Sequence, residues 1–249
     1  ALSRKERGYD RSPATRVDQA EGFQLGMKGV AMTRALTFYN TSIGKKVVMA
    51  ITGLILFGFV IGHMLGNLQV FIGASQMNTY AAMLKANAGL LWGVRLMLLV
   101  AVILHIVAAV QLTRMSQRSR PEGYYYKDVI QADYASRTMR WSGPIIAVFV
   151  IFHLLHFTTG TVHPHFNVHD VYRNVIVGFS FWPVSLFYII AMGALGLHLW
   201  HGVWSMFQTL GLINPKSDKI IHKLAAVATL AIIVGFISIP IAVLAGLII

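Results

Sequence analysis

Of the chain's 249 residues, 56% are hydrophobic and only 12% charged, and the formal net charge is +12; soluble domains average about 25% charged residues. That composition excludes an ordinary soluble domain and points to a bilayer. The absence of cysteine excludes a disulfide framework and any iron–sulfur cluster held by this chain's own thiolates, so such a cluster would have to sit on a partner.

In chain order, residues 1–40 are basic and polar and lack the apolar core of a signal peptide. They are expected to form an arm that touches anionic lipid or a soluble partner, ahead of a membrane domain over 41–249. Five apolar runs follow, at about 46–72, 92–115, 141–160, 183–210 and 224–249, each meeting the spanning requirement of about 20 residues. The expected fold is therefore all-α, a membrane bundle of five helices. The 73–91 connection is mildly amphipathic, with Met77, Tyr80, Met83 and Leu84, and suits the membrane interface. The 161–182 connection holds His163, His165 and His169. Their spacing could bind a metal ion, but no complete ligand set is readable, and a solvated loop is the simpler reading.

Eighteen of the 21 lysines and arginines fall in 1–46, 114–140 and 214–223, leaving only Lys85, Arg95 and Arg173 for the opposite side. Lysine and arginine favour the cytoplasmic side, so the N-terminus is expected in the cytoplasm and the C-terminus outside. Topology accounts for the positive charge without a nucleic-acid partner.

Four of the five runs carry a histidine well inside them, at His63, His105, His153 and His198. An imidazole in hydrocarbon is costly unless something coordinates or hydrogen-bonds it. For one histidine, a bond to a backbone carbonyl or a hydroxyl on the next helix suffices. Four in separate spans, with no intramembrane Asp, Glu or Lys to complete a proton relay, point instead to two axial pairs on two six-coordinate haem irons. At about 1.5 Å per residue, His63 and His153 fall in the outer half of their spans, while His105 and His198 fall near the middle or the inner half. Depth favours pairing His63 with His153 and His105 with His198; a shift of a few residues in the helix starts admits the other pairings. His156 and His201 each follow a candidate ligand at i+3 and share broadly its helix face, so either member of each couple could ligate. Gly58, Gly62 and Gly66 form a double GxxxG beside His63, and Gly193, Gly196 and Gly202 surround His198. Such grooves admit another helix or the plane of a porphyrin.

Residues 42–53 (SIGKKVVMAITG), 59–67 (FVIGHMLGN), Leu104-His105, 152–158 (FHLLHFT) and 196–205 (GLHLWHGVWS) resemble the cytochrome b558 subunit of succinate:quinone oxidoreductases, the complex II family. The likeness runs from about residue 40 to the C-terminus. It implies a single five-helix subunit of a bacterial cytoplasmic membrane that binds two b haems and anchors a flavoprotein with covalent FAD and an iron–sulfur protein. It implies that electrons from succinate leave to a quinone, usually menaquinone in that family. The family's His followed four residues later by Gly-x-Trp-Ser selects His198 over His201, and its Phe-Val-x-aromatic run selects His153 over His156. The resemblance implies the same two pairs, with the inner haem on His105 and His198. Ser42, Lys45, Lys46, Arg140, His156, His201 and Trp204 are candidate neighbours of haem propionates or quinone, although the basic ones equally serve the charge bias and interfacial tryptophan is common without a ligand. The basic N-terminal arm departs from the family pattern. Alternative readings are the haem-bearing subunit of a nitrate reductase or formate dehydrogenase and a haem-free anchor or transporter.

Overall fold

A computed structural model describes residues 37–119 and 134–249, with only the backbone of 134–136. These residues form helices and connections and no strand. The expected arm over 1–40 lies almost wholly outside the described residues. The chain divides into two compact units, 1–45 and 46–249.

In the first unit a helical turn over 37–40 ends at Thr41. The Thr41 hydroxyl donates to the Phe38 carbonyl at 2.7 Å and accepts from the Gly44 N–H at 3.0 Å, capping the helix that begins at Ser42. Lys45 is buried and donates to the Tyr39 carbonyl at 3.0 Å while its ammonium lies 4.9 Å from the Tyr39 ring centroid. Lys45 is therefore committed to Tyr39. Ser42 is exposed.

The long helices are α1 (Ser42–Asn67), α3 (Ala88–Arg118), α4 (Tyr134–His153), α6 (Trp182–Thr209) and α7 (Asp218–Leu244), and the short ones are α2 (Ala74–Ala86) and α5 (Val171–Ser180). A 3-10 turn (Leu68–Phe71) extends α1, and a π-helical turn (Leu154–Thr158) extends α4. Among the described residues, five helices are long and apolar enough to cross a membrane: α1 and α4 with their extensions, and α3, α6 and α7. The chain is a multi-pass helical membrane protein.

Within the second unit α6 packs closely on both α4 and α7, whereas α1 and α3 make few close backbone approaches to the other spans. Only 11% of the most apolar window of α3 is buried, against 33% for α7. The principal core lies where α4, α5, α6 and α7 meet, around Phe149, Val175, Phe179, Tyr188, Met192 and Ile239.

Both connections expected to be irregular or interfacial contain a helix. α5 forms inside 161–182 because the Asp170 carboxylate caps it, accepting from the Arg173 N–H at 3.0 Å, while Val175 and Phe179, one turn apart, bury into the core. α2 lies beside it: the Asn78 amide donates to Asp170 Oδ1 at 3.0 Å and accepts from the Tyr172 N–H at 3.0 Å, and Lys85 donates to the Val168 carbonyl at 2.8 Å. Hydrogen bonds from the Arg173 N–H and the Asn78 amide hold the Asp170 carboxyl below its ordinary range.

Candidate functional site

Two pairs of imidazoles meet across helices in the second unit. His63 of α1 and His153 of α4 have ring centroids 5.7 Å apart, nearly perpendicular at 83°. His105 of α3 and His198 of α6 have centroids 6.2 Å apart, inclined at 60°. These are the two couples that depth along the spans favours. Two imidazoles sharing one metal through bonds of about 2 Å, as first-row metals make to histidine, hold their centroids roughly 6 Å apart. Both pairs fall near that spacing.

In all four rings a side-chain hydrogen-bond partner stands at Nδ1; where Nδ1 is the donor, Nε2 is left as the metal-binding atom. For His105 the proton can be assigned. The Thr52 hydroxyl has one hydrogen and gives it to the Val48 carbonyl at 2.7 Å, so its oxygen accepts from His105 Nδ1–H at 3.1 Å. Nε2 then carries the lone pair. The buried Ser142 hydroxyl lies 3.5 Å from His198 Nδ1. Tyr188 stands between two rings, with its hydroxyl 3.4 Å from His153 Nδ1 and 3.1 Å from His156 Nδ1. One phenolic hydrogen serves one of them, and the other ring donates to the oxygen. If His153 donates, Tyr188 passes its hydrogen to His156 and His153 Nε2 is free to ligate.

His63 differs. The Asn67 amide nitrogen donates to the His63 carbonyl at 2.7 Å and stands 3.3 Å from His63 Nδ1, which must accept from it. That tautomer puts the proton on Nε2, so ligation by His63 requires the proton to move to Nδ1 and Asn67 to release the ring. The donor set thus fits two six-coordinate irons once that one amide lets go.

The glycines near the pairs divide into two kinds. A side chain added at Gly66 would come within 2.8 Å of the Tyr80 ring, and one at Gly196 within 3.2 Å of Ile233, so these positions admit neighbouring helices. Gly58, Gly62, Gly193 and Gly202 face open space, with nothing within 4 Å of an added Cβ. Of those four, Gly202 lies one turn after His198 and shares its helix face.

His156 sits in the π-helical turn, where the Thr159 N–H reaches back five residues to the Leu154 carbonyl at 2.9 Å; such bulges recur at functional positions. It is 1% exposed, and its ring lies 5.0 Å from that of His163. His163 donates from Nε2 to the Asn174 carbonyl at 2.9 Å and accepts at Nδ1 from the His165 N–H at 3.2 Å. Both His163 nitrogens are therefore bonded to backbone, and among the described residues no group of three or more His, Cys, Asp or Glu side chains is placed to hold a metal ion.

The remaining candidates are not members of either pair. Lys46 and Arg140 are exposed. His201 lies 6.0 Å from Trp204, ring to ring. Trp204 donates from its indole nitrogen to Asp218 Oδ1 at 2.9 Å. Sequence reasoning missed Thr52, Ser142 and Tyr188, because a partner on another span has no fixed sequence spacing. Asn67 was legible as a polar residue one turn after His63.

Compared with protein-family models, curated proteins and solved structures, the chain matches none of them. What the fold defines is a multi-pass helical membrane protein with two cross-helix histidine pairs in its spans.

Proposed function

We propose that the chain is the di-haem cytochrome b subunit of a membrane-bound succinate:quinone oxidoreductase. In this reading it anchors a flavoprotein and an iron–sulfur protein and passes their electrons to a quinone of the menaquinone type. The observation that carries the di-haem part is the pairing itself: four intramembrane imidazoles, each bonded to protein through Nδ1, meet as two couples at metal-sharing distance. The succinate part rests on the sequence resemblance. His63 and His153 would hold one haem, and His105 and His198 the other. Bound there, haem would supply one-electron transfer; its potential would be set by the four Nδ1 partners and by the low polarity around it.

The test is a pyridine haemochrome assay with haem counted per chain, on protein extracted with its partners. Two haems are expected. Each of His63→Ala, His105→Ala, His153→Ala and His198→Ala should lower the count to one or none, and a colourless preparation would refute the reading. Covalent flavin in the same preparation supports the succinate assignment; its absence beside intact haem moves the chain to a nitrate reductase or formate dehydrogenase type of subunit.

A further inference from the structure

We propose that the junction of α6 and α7 binds the head group of a quinone, with the imidazole of His222 delivering protons to a ring carbonyl and Asp218 holding that imidazole in place. The proposal rests on the function proposed above and gives the quinone a site on residues outside the histidine pairs.

Asp218 is the sole carboxylate after residue 170, and two neighbours converge on it. Trp204 Nε1 donates to Oδ1 at 2.9 Å, while His222 Nδ1 lies 3.4 Å from the same oxygen and 3.3 Å from the Asp218 backbone carbonyl. Both acceptors fix the His222 proton on Nδ1. The imidazole also lies against the indole, with centroids 4.4 Å apart and planes inclined at 33°. A carboxylate that orients a histidine through one ring nitrogen is the pattern of a general acid with its far nitrogen offered to substrate. Tying two helix ends together needs only the Trp204–Asp218 bond; it does not require a second ring held on the same carboxylate.

Access suits a lipid-soluble substrate. The His222 side chain is 37% exposed, and Leu212, Ile220 and Leu224, near it in the chain, are 58%, 60% and 62% exposed. An apolar ring can therefore reach the imidazole from hydrocarbon, while the exposed Lys219 and Lys223 of the same helix keep water nearby. His201 faces Trp204 from the His198 side. Trp204 follows His198 by six residues, about 9 Å along the helix axis. The site thus lies within one to two turns of a redox pair.

The step balances as a two-electron, two-proton reduction. A haem held by His105 and His198 would supply the electrons one at a time, and the two carbonyl oxygens would become hydroxyls. His222 imidazolium gives a proton from Nε2 to an oxygen, is left neutral with Nδ1–H on Asp218, recovers a proton from water and gives a second.

The experiment uses the full chain in its native membranes and an azido-naphthoquinone photolabel, mapped by mass spectrometry and competed with unlabelled naphthoquinone. Competed label is expected on the peptide spanning Trp204 to Leu224. His222→Gln should lower labelling about tenfold, as loss of a hydrogen bond to a carbonyl implies. It should also lower quinol formation about 100-fold, the scale of a lost general acid, with haem content unchanged. Trp204→Phe, which removes the bond to Asp218, should lower both in the same direction. Label elsewhere, or labelling and turnover within twofold of wild type in His222→Gln, overturns the site and leaves the haem reading intact. Label at this peptide in a chain without haem overturns the haem reading and leaves the site intact.

Discussion

His63 and His153 stand in aromatic surroundings, against Phe59, Phe149, Phe157, Phe236 and Tyr188. His105 and His198 have no ring contact among the described residues except each other. One pair borders a packed core; the other joins α3, the least buried span, to α6 and meets protein through two hydroxyls. The difference separates two ways of holding an imidazole. Close-packed rings fix His153 whether or not a cofactor is present, whereas His105 is held by polar contacts to α1 and by whatever occupies the space beside it. The His105/His198 pair is accordingly where a bound group should contribute most to order in the bundle.

The largest test of this contrast is His105→Ala against His153→Ala. Each is expected to lose one haem per chain, but only His105→Ala should also free α3, seen as faster hydrogen exchange along Ala88–Arg118. Equal exchange in the two variants would remove the contrast. Next come the glycines. Gly178→Ala places a Cβ 2.9 Å from His156 and 3.0 Å from Phe157, and overpacking of this kind costs about 1–3 kcal/mol, visible as a lower unfolding temperature in detergent. Gly62→Ala meets nothing within 4 Å. Its thermal stability should hold, and a fall in haem content would show that the open face at Gly62 is the one that holds the cofactor.

A smaller effect is expected for Thr52→Val, which removes the acceptor of His105 Nδ1–H. A hydrogen bond of this type is worth about 1 kcal/mol net, or about 40 mV for a one-electron couple. Redox titration should show the shift in the His105/His198 haem and none in the other. Asn67→Ala should leave the haem count at two, since Asn67 must release His63 for ligation.

The smallest effect concerns pH and the contact between α2 and α5. The Asp170 carboxyl is held below its ordinary range, chiefly by the Arg173 N–H and then by the Asn78 amide. Its folded value is depressed, so its contribution is fully present above the unfolded carboxylate value near 3.9. That contribution is lost as pH falls through the folded value. Exchange in Val171–Ser180 should stay slow down to about pH 4 and rise below it, and Asp170→Asn should flatten the dependence.

Much of this molecule can be read from residue order. The five spans follow from apolar length, because a bilayer demands about 20 residues of hydrocarbon-compatible helix. Depth favours the two couples over the other pairings, because 1.5 Å per residue converts sequence position into height in the membrane, and their ring-to-ring approach is what the tertiary structure adds. α5 was not legible: ten residues with a narrow apolar stripe resemble a connection until the core they cover is in view. Gly66 and Gly62 look equivalent in the sequence, yet one faces Tyr80 and the other faces open space.

The amino-acid sequence by itself determined the span count, the intramembrane histidines and their heights, since these depend on hydropathy and helical rise along one strand of chain. The tertiary structure alone decided which hydroxyl or amide meets each Nδ1, that Tyr188 joins His153 to His156, and that Trp204, Asp218 and His222 converge. The reason is geometric: height in a membrane is a property of one helix, but a hydrogen bond between spans also needs the rotation of both helices about their axes, which only their mutual packing fixes.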